Sequence, residues 1–241
     1  MRRLQLVLAI RQLRKNKGFT LLNILGLTLG LTTFLCITLY VADELGYDHY
    51  NRNADRIYRV NADMRLNGRD TYLADAAPPV GPTLVRYYPE VERAARLLPV
   101  QGGLHVGKGN TGIQENRVVL CDPEIFGIFT LPFVDGNPAT ALQRPNTVVI
   151  TETTAIKYFG TARAAGRTLR DIDDTLNLIV DGVIRDLPAQ SSFHYDLFLT
   201  MRGNGMENNP DFYALFPMST FILLKPGADA GALQGVWPHG Q

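Results

Sequence analysis

An α+β fold behind one N-terminal membrane-spanning helix is what the sequence predicts, and three observations carry that prediction. Residues 19–41 hold no charged side chain, residues 1–17 hold six basic ones and no acid, and the remainder alternates short apolar runs with Pro, Gly and Asn. The 241 residues leave room for one large or two small domains, and 46% hydrophobic content belongs to a packed chain. A net charge of +1 offers no bulk attraction for nucleic acid.

Phe19 to Val41 is a run of 23 residues. At about 1.5 Å rise each they make a helix of roughly 34 Å, enough to cross a hydrocarbon core of about 30 Å. Arg2, Arg3, Arg11, Arg14, Lys15 and Lys17 precede it and Asp43, Glu44 and Asp48 follow. Retention of Lys and Arg on the cytoplasmic side therefore places the N-terminus inside and everything after Val41 outside, in the periplasm of a bacterium. A cleaved signal peptide has an apolar region of about 7–15 residues ending in a small-x-small site, whereas this run is longer and closes with Leu39, Tyr40 and Val41. Gly26 and Gly30 stand four apart, with Asn23, Thr28, Thr32, Thr33 and Thr38 nearby, a spacing that lets a second helix approach closely in lipid. In residues 1–18 apolar Leu4, Leu6, Val7, Leu8, Ile10 and Leu13 interleave with arginines, which fits a basic amphipathic helix on the inner membrane surface or a docking surface for a cytoplasmic partner. Cys36 lies in the span and Cys121 far outside it, which rules out a disulfide between them.

The outer domain reads in order as follows. Arg56 to Met64 alternates as a half-buried first strand, and Asn67-Gly68 supplies turn chemistry. Val80 to Tyr88 carries apolar positions Val80, Leu84, Val85 and Tyr88 on one helical face and is stopped by Pro89. Val91 to Val100 is a second strand, Gln101 to Gly112 a mobile loop or wide hairpin suited to a partner contact, and Arg117 to Cys121 another strand. Pro123 to Phe129 is a short helical turn, and Gly136 and Pro138 open a loop. Thr147 to Ile150 is a β-branched strand leading into a helix with Thr151 as N-cap, Glu152 in its first turn and Gly160 as its stop. Leu176 to Ile184 and Phe221 to Leu224 are further strands, and Ala228 to Val236 starts a helical pattern. Short strands with two or three interspersed helices make an α+β domain in two layers.

Catalytic chemistry lacks its residues. Gly107-Lys108-Gly109 has no Gly-Lys-Ser or Gly-Lys-Thr ending, so no P-loop cradles phosphates here. Ser191, Ser192 and Ser219 are outside any G-x-S-x-G turn. His49, His105, His194 and His239 are dispersed. Asp171, Asp173 and Asp174 resemble the start of a calcium loop, but Leu176 stands where the sharp turn needs glycine. Tyr87, Tyr88, Phe126, Phe129, Phe133, Phe193, Tyr195, Phe198, Phe212 and Phe216 could line a groove or fill a core, and such spacings more often fill cores. No enzyme, cofactor or metal site is expected.

Tyr47-Asp48-His49-Tyr50 through Asp55-Arg56-Ile57-Tyr58-Arg59-Val60, then Ala76-Ala77-Pro78-Pro79-Val80-Gly81-Pro82 and Tyr88-Pro89-Glu90-Val91-Glu92 are blocks that resemble the MacB-like, FtsX-type ABC transporter permeases. The most specific runs from Asp122-Pro123-Glu124-Ile125-Phe126 through Phe129-Thr130-Leu131-Pro132-Phe133 to Val148-Val149-Ile150-Thr151-Glu152 and Tyr158-Phe159-Gly160, followed by Gly182 to Pro188 and Ser191.

The resemblance implies a periplasmic core domain over residues 44–225, with a porter-like α/β part (55–100 and about 196–233) and an inserted, mostly-β part (about 101–195). Residues 226–241 are then a truncated tail, because family permeases continue into at least three more transmembrane helices. It further implies a permease subunit that dimerises and pairs with a separate cytoplasmic P-loop ATPase, with a periplasmic adaptor as a further partner, in the inner-membrane bilayer. ATP hydrolysis would then move the periplasmic domain for export or mechanotransmission. The alternative is a single-span anchored sensor or scaffold without transport activity.

Overall fold

The structure, a computed structural model, describes residues 11, 14–66, 69–108, 111–172, 176–208 and 218–233. The expected amphipathic helix of residues 1–18, the Asn67-Gly68 turn, Asp173 and Asp174, Phe212 and Phe216, and the tail from 234 on lie wholly or mostly outside them. Two compact units result, Met1–Tyr47 and Asp48–Gln241.

The first unit is helix α1 (Lys17–Glu44), which outruns the charge-free stretch by two residues at its start and three at its end. None of its residues is buried. Every side chain between Leu21 and Val41 is exposed, so this apolar surface has no partner among the described residues. Thr33 and Thr38 donate their hydroxyls to the Leu29 and Phe34 carbonyls at 2.9 and 2.8 Å, which hides these polar groups within the helix itself.

The second unit is built on one large mixed sheet. Its strands are β1 (Ile57–Val60), β4 (Val91–Pro99), β7 (Val118–Cys121), β8 (Phe133–Gly136), β9 (Thr147–Thr151), β10 (Thr168–Arg170), β11 (Asn177–Ile184), β12 (Leu197–Thr200) and β13 (Ser219–Leu224). Two hairpins stand apart from it, β2 (Ala62–Leu66) with β3 (Arg69–Leu73) and β5 (Leu104–Lys108) with β6 (Thr111–Glu115). The helices are α2 (Val80–Tyr87), α3 (Ile125–Ile128) and α4 (Glu152–Phe159). The strand order is β1-β13-β4-β7-β12-β9-β11-β10, with β8 also on β11. Among the described strands, only β7 with β12 and β9 with β11 are parallel, and the return from β9 to β11 runs through α4, the usual crossover of a parallel pair. Every residue of β9 and β12 is buried, the pattern of strands covered on both faces.

Where β8 meets β11 two positions leave no room for a side chain. A Cβ on Gly182 would stand 2.5 Å from the Phe133 ring, and one on Gly136, whose φ is +88°, 2.5 Å from the Asp181 carbonyl oxygen.

Several expectations change. The first strand breaks at Asn61 into β1 and β2, because β2 leaves the sheet to pair with β3. Of the two readings of 101–112, the hairpin holds and the mobile loop does not: β5 pairs with β6, Leu104 and Val106 are buried, and the Ile172 N–H donates to the His105 carbonyl at 2.8 Å. Strands β8, β10 and β12 were not predicted, since each is too short to display a period. Thr151 does sit at the N-cap of α4, but its hydroxyl bonds Thr154 at 2.9 Å. The capping oxygens come instead from Asp186, which accepts from the Thr153 N–H at 3.1 Å and its hydroxyl at 2.6 Å. Gly160 ends α4 in the left-handed conformation as expected.

Three apolar clusters fill the unit. One gathers Ala95, Leu97, Val119, Cys121, Ile125, Ile128, Phe193, Phe198 and Leu223 under α3. A second lies under α4 around Val148, Ile150, Leu178, Val180 and Leu197, and a third under α2 around Val80, Leu84, Val91 and Ile222.

Candidate functional site: where the chain enters and leaves the domain

Among the described residues, a dense set of polar contacts outside regular structure gathers where the chain enters the folded unit. Asp48 is left-handed at φ 59°, a region Asp reaches because its short side chain bonds locally. Its N–H donates to the Gln190 carbonyl at 2.8 Å, and its carboxylate accepts from the Ser192 N–H at 3.0 Å and from the Ser192 hydroxyl. Asn51, 5% exposed, donates its N–H and its side-chain amide to the Asp48 carbonyl, each at 3.1 Å. Its Oδ1 accepts from the Thr130 N–H at 2.8 Å, and the Arg52 N–H returns a bond to the Thr130 hydroxyl at 2.9 Å. The hydroxyls of Tyr50 and Ser191 share a bond at 3.0 Å, and burial pushes the Tyr50 pKa up. This segment is thereby fixed to two loops, 129–130 and 190–192.

The end of the last strand lies beside the entry. Ile57 opens β1 opposite Leu223, near the end of β13. Just ahead of that pair, Arg56 donates Nη1 to the Leu224 carbonyl at 2.8 Å and to Glu92 at 3.2 Å, and Nη2 to Asn53 Oδ1 at 2.6 Å. The Lys225 N–H then bonds the Glu90 carbonyl at 2.9 Å.

Behind the entry segment is a cleft of about 420 Å³ lined by Asp48, Asn51, Arg59, Phe193, Tyr195 and Phe221, among others. Both charged side chains in the lining already hold partners, Asp48 on Ser192 as above. Arg59 donates Nε to the Ala74 carbonyl at 2.8 Å and Nη2 to Asp75 and Ser219 at 3.0 and 3.1 Å. The aromatic residues expected to line a groove or fill a core mostly fill the core: Phe129, Phe193 and Phe198 are buried, and Phe126, Phe133 and Tyr195 pack against them. Phe129 meets Phe193 edge to face at 5.0 Å. Tyr87 is exposed.

Deeper in, Arg96 is 3% exposed and joins four segments. Its N–H and Nε donate to Asp122 Oδ2 at 2.9 and 2.7 Å and Nη2 to Oδ1 at 2.9 Å, while Nη1 and Nη2 reach the Pro78 and Glu207 carbonyls at 2.8 and 3.0 Å. A second charged group ties β6 to α4: Glu115 accepts from Lys157 at 2.6 Å and from the Tyr158 hydroxyl. Burial, with that bond and the Glu115 charge, pushes the Tyr158 pKa up. Burial likewise raises Asp196, with Glu115 and Asp186 adding to the effect and Arg117 opposing it. Cys121 is fully buried and its thiol pKa is pushed up by that burial.

Gly26 and Gly30 both lie on α1, and an added Cβ at either would meet nothing within 4 Å. The described residues hold no group of three or more His, Cys, Asp or Glu placed to share a metal ion. Sequence reasoning missed the entry network and the Arg96–Asp122 pair. Their partners are loops without periodicity, and the only local signal, for the entry network, is the run of polar residues at 48–53.

The family blocks of the sequence converge on this geometry, and the match to the MacB-like periplasmic core domain covers residues 20–236. The chain belongs to that family. MacB-like periplasmic core domains are parts of ABC-transporter permeases. A domain from Porphyromonas gingivalis, of a protein assigned as a permease, has the same fold: 23% identity, TM-score 0.64, covering 76% of this chain and 78% of that one. Also similar are the periplasmic region of MacB from Actinobacillus actinomycetemcomitans (11% identity, TM-score 0.48, 73% and 77% covered) and the extracellular domain of the noncanonic ABC-type transporter YknZ from Gram-positive bacteria (11%, 0.47, 72% and 84%). No curated protein sequence matches the chain significantly. Within this MacB-like domain, the block from Asp122 to Phe133 supplies the Arg96 partner, helix α3 and the Thr130 anchor. The block from Gly182 to Ser191 supplies the α4 cap and the Tyr50 anchor.

Proposed function

We propose that this chain is the N-terminal part of an ABC-transporter permease in the bacterial inner membrane, with residues 19–41 crossing the bilayer, the N-terminus in the cytoplasm and the main domain in the periplasm. A separate cytoplasmic P-loop ATPase supplies the energy and a second permease copy completes the unit. A periplasmic adaptor is a further partner. Motion of the helix is passed to the domain, for export or for mechanotransmission. The observation that carries this reading is α1: a long apolar helix with no buried residue, directly ahead of a domain of the permease family. Gly26 and Gly30 are its packing face for another membrane helix, in keeping with the open space above both.

The domain keeps its proposed division into porter-like and inserted parts. The α2 cluster draws its residues from 60–94 and 222–233, and the α4 cluster from 104–183 apart from Val100, Leu197 and Leu199 of the porter-like side, which in the main supports that division.

Two measurements test the reading. In spheroplasts, Ala139→Cys in a Cys36→Ser background reacts with a membrane-impermeant thiol reagent before lysis, whereas Cys121 reacts only after denaturation; reaction of Ala139→Cys only after lysis reverses the orientation. The detergent-solubilised full chain, expressed at its native level, co-elutes with a P-loop ATPase subunit. Elution without any ATPase would favour the anchored sensor instead.

A further inference from the structure

We propose that Asp48–Arg56 is a mechanical clasp that shields the β1–β13 ladder from unzipping and passes displacement of the incoming chain to the body of the domain, an inference resting on the reading that motion arrives through the helix. The need for a clasp follows from topology. β1 runs antiparallel to β13 with Ile57 opposite Leu223, so the chain enters and leaves at the same end of the pair. Ladder bonds in an antiparallel pair lie perpendicular to the strands. A pull between entry and exit therefore meets these bonds one at a time, starting at Ile57, and β1 is only four residues long with β13 as its one partner in the sheet.

The residues ahead of that fork supply what the ladder lacks. A pull on Asp48 first meets its bonds to Gln190 and Ser192, then those of Asn51 and Arg52 to Thr130. Thr130 follows Phe129 and Ser192 precedes Phe193, two buried rings in mutual contact, so both anchor loops are rooted in the central cluster. Asn51 is buried, which keeps water from exchanging for its bonds. Arg56 sits at the mouth of the fork and ties the end of β13 to Glu92 on β4, so the edge strand cannot part from β13 before that side chain lets go.

Constant-load tweezers on the full chain in bicelles test this, with handles on Leu45→Cys and Pro226→Cys in a Cys36→Ser background; Cys121 is buried and takes no handle. The parent is expected to hold until the domain unfolds in one large step. Asn51→Ala, losing the bonds to the Asp48 carbonyl and the Thr130 N–H, shortens the time to first extension about tenfold, or about 1.4 kcal/mol of barrier. Its first step releases the nine residues 48–56, about 30 Å at ~3.5 Å each. Asp48→Asn, which tolerates the left-handed backbone and keeps an acceptor, stays close to the parent. Ser192→Ala, at an exposed position, shortens the lifetime in the same direction and serves if Asn51→Ala does not fold. The clasp is refuted if the parent itself gives up the small step at the lowest loads, or if Asn51→Ala and Ser192→Ala last as long as the parent. The measurement involves no ATPase, so failure to find an ATPase partner leaves it standing, and equal lifetimes remove the clasp without touching the permease reading.

Discussion

Arg96 shows how one buried charge can hold several segments together. Its guanidinium faces Asp122 in a forked pair and its remaining donors reach two carbonyls, so the desolvation of the ion is offset by hydrogen bonds at almost every donor. Arg96→Met leaves the Asp122 carboxylate without its partner and is expected to cost about 3–5 kcal/mol in chemical denaturation. Asp196 behaves oppositely. Burial raises its pKa above 3.8 despite the Arg117 ion pair, so ionisation costs the folded state more than the unfolded one. Its contribution therefore favours folding below the unfolded pKa and is lost as pH rises through the higher folded value. Asp196→Asn should be more stable than the parent at about pH 7 and equal to it at about pH 3, measured as urea midpoints.

At the scale of elements, α4 is stabilised from both ends by different means. Its C-terminal stop, Gly160, is written into the sequence because the left-handed φ of 70° suits glycine. Nothing lies within 4 Å of an added Cβ there, so Gly160→Ala should cost only the backbone strain, about 1 kcal/mol. Its N-terminal cap comes from Asp186, 33 residues away, and Asp186→Ala should likewise cost about 1 kcal/mol by loss of the bonds to Thr153. Either value is read from the shift of the urea midpoint. Strand β9 and helix α4 were legible because β-branched residues, acid and glycine follow one another in order. Strand β12 was not, since a fully buried run of four residues, Leu197 to Thr200, has no alternation to display.

For the whole molecule, one sheet links the segments proposed as porter-like and inserted. Leu97 and Leu98 of β4 pair with Cys121 and Leu120 of β7, and the central cluster takes side chains from both segments. Urea unfolding of the full chain, followed by loss of sheet circular dichroism and by the reactivity of Cys121, should give coincident midpoints, because that thiol is 0% exposed at the meeting line. Separate midpoints would mean that the two parts fold independently.

By itself the sequence determined the long apolar helix, the α+β character, the places of α2, α4 and the strands around Thr147 and Asn177, and the family. These are properties of contiguous residues: length without charge, periodicity, turn chemistry and motif blocks in order. Tertiary structure alone decided the strand order, the Asp186 cap, the Arg96 pair and the long-range bonds of the entry network; the cap, the pair and those bonds join residues between 26 and 168 apart. Periodicity records which face of an element is apolar but not which neighbour covers it, and hydrogen bonds between loops follow no period at all.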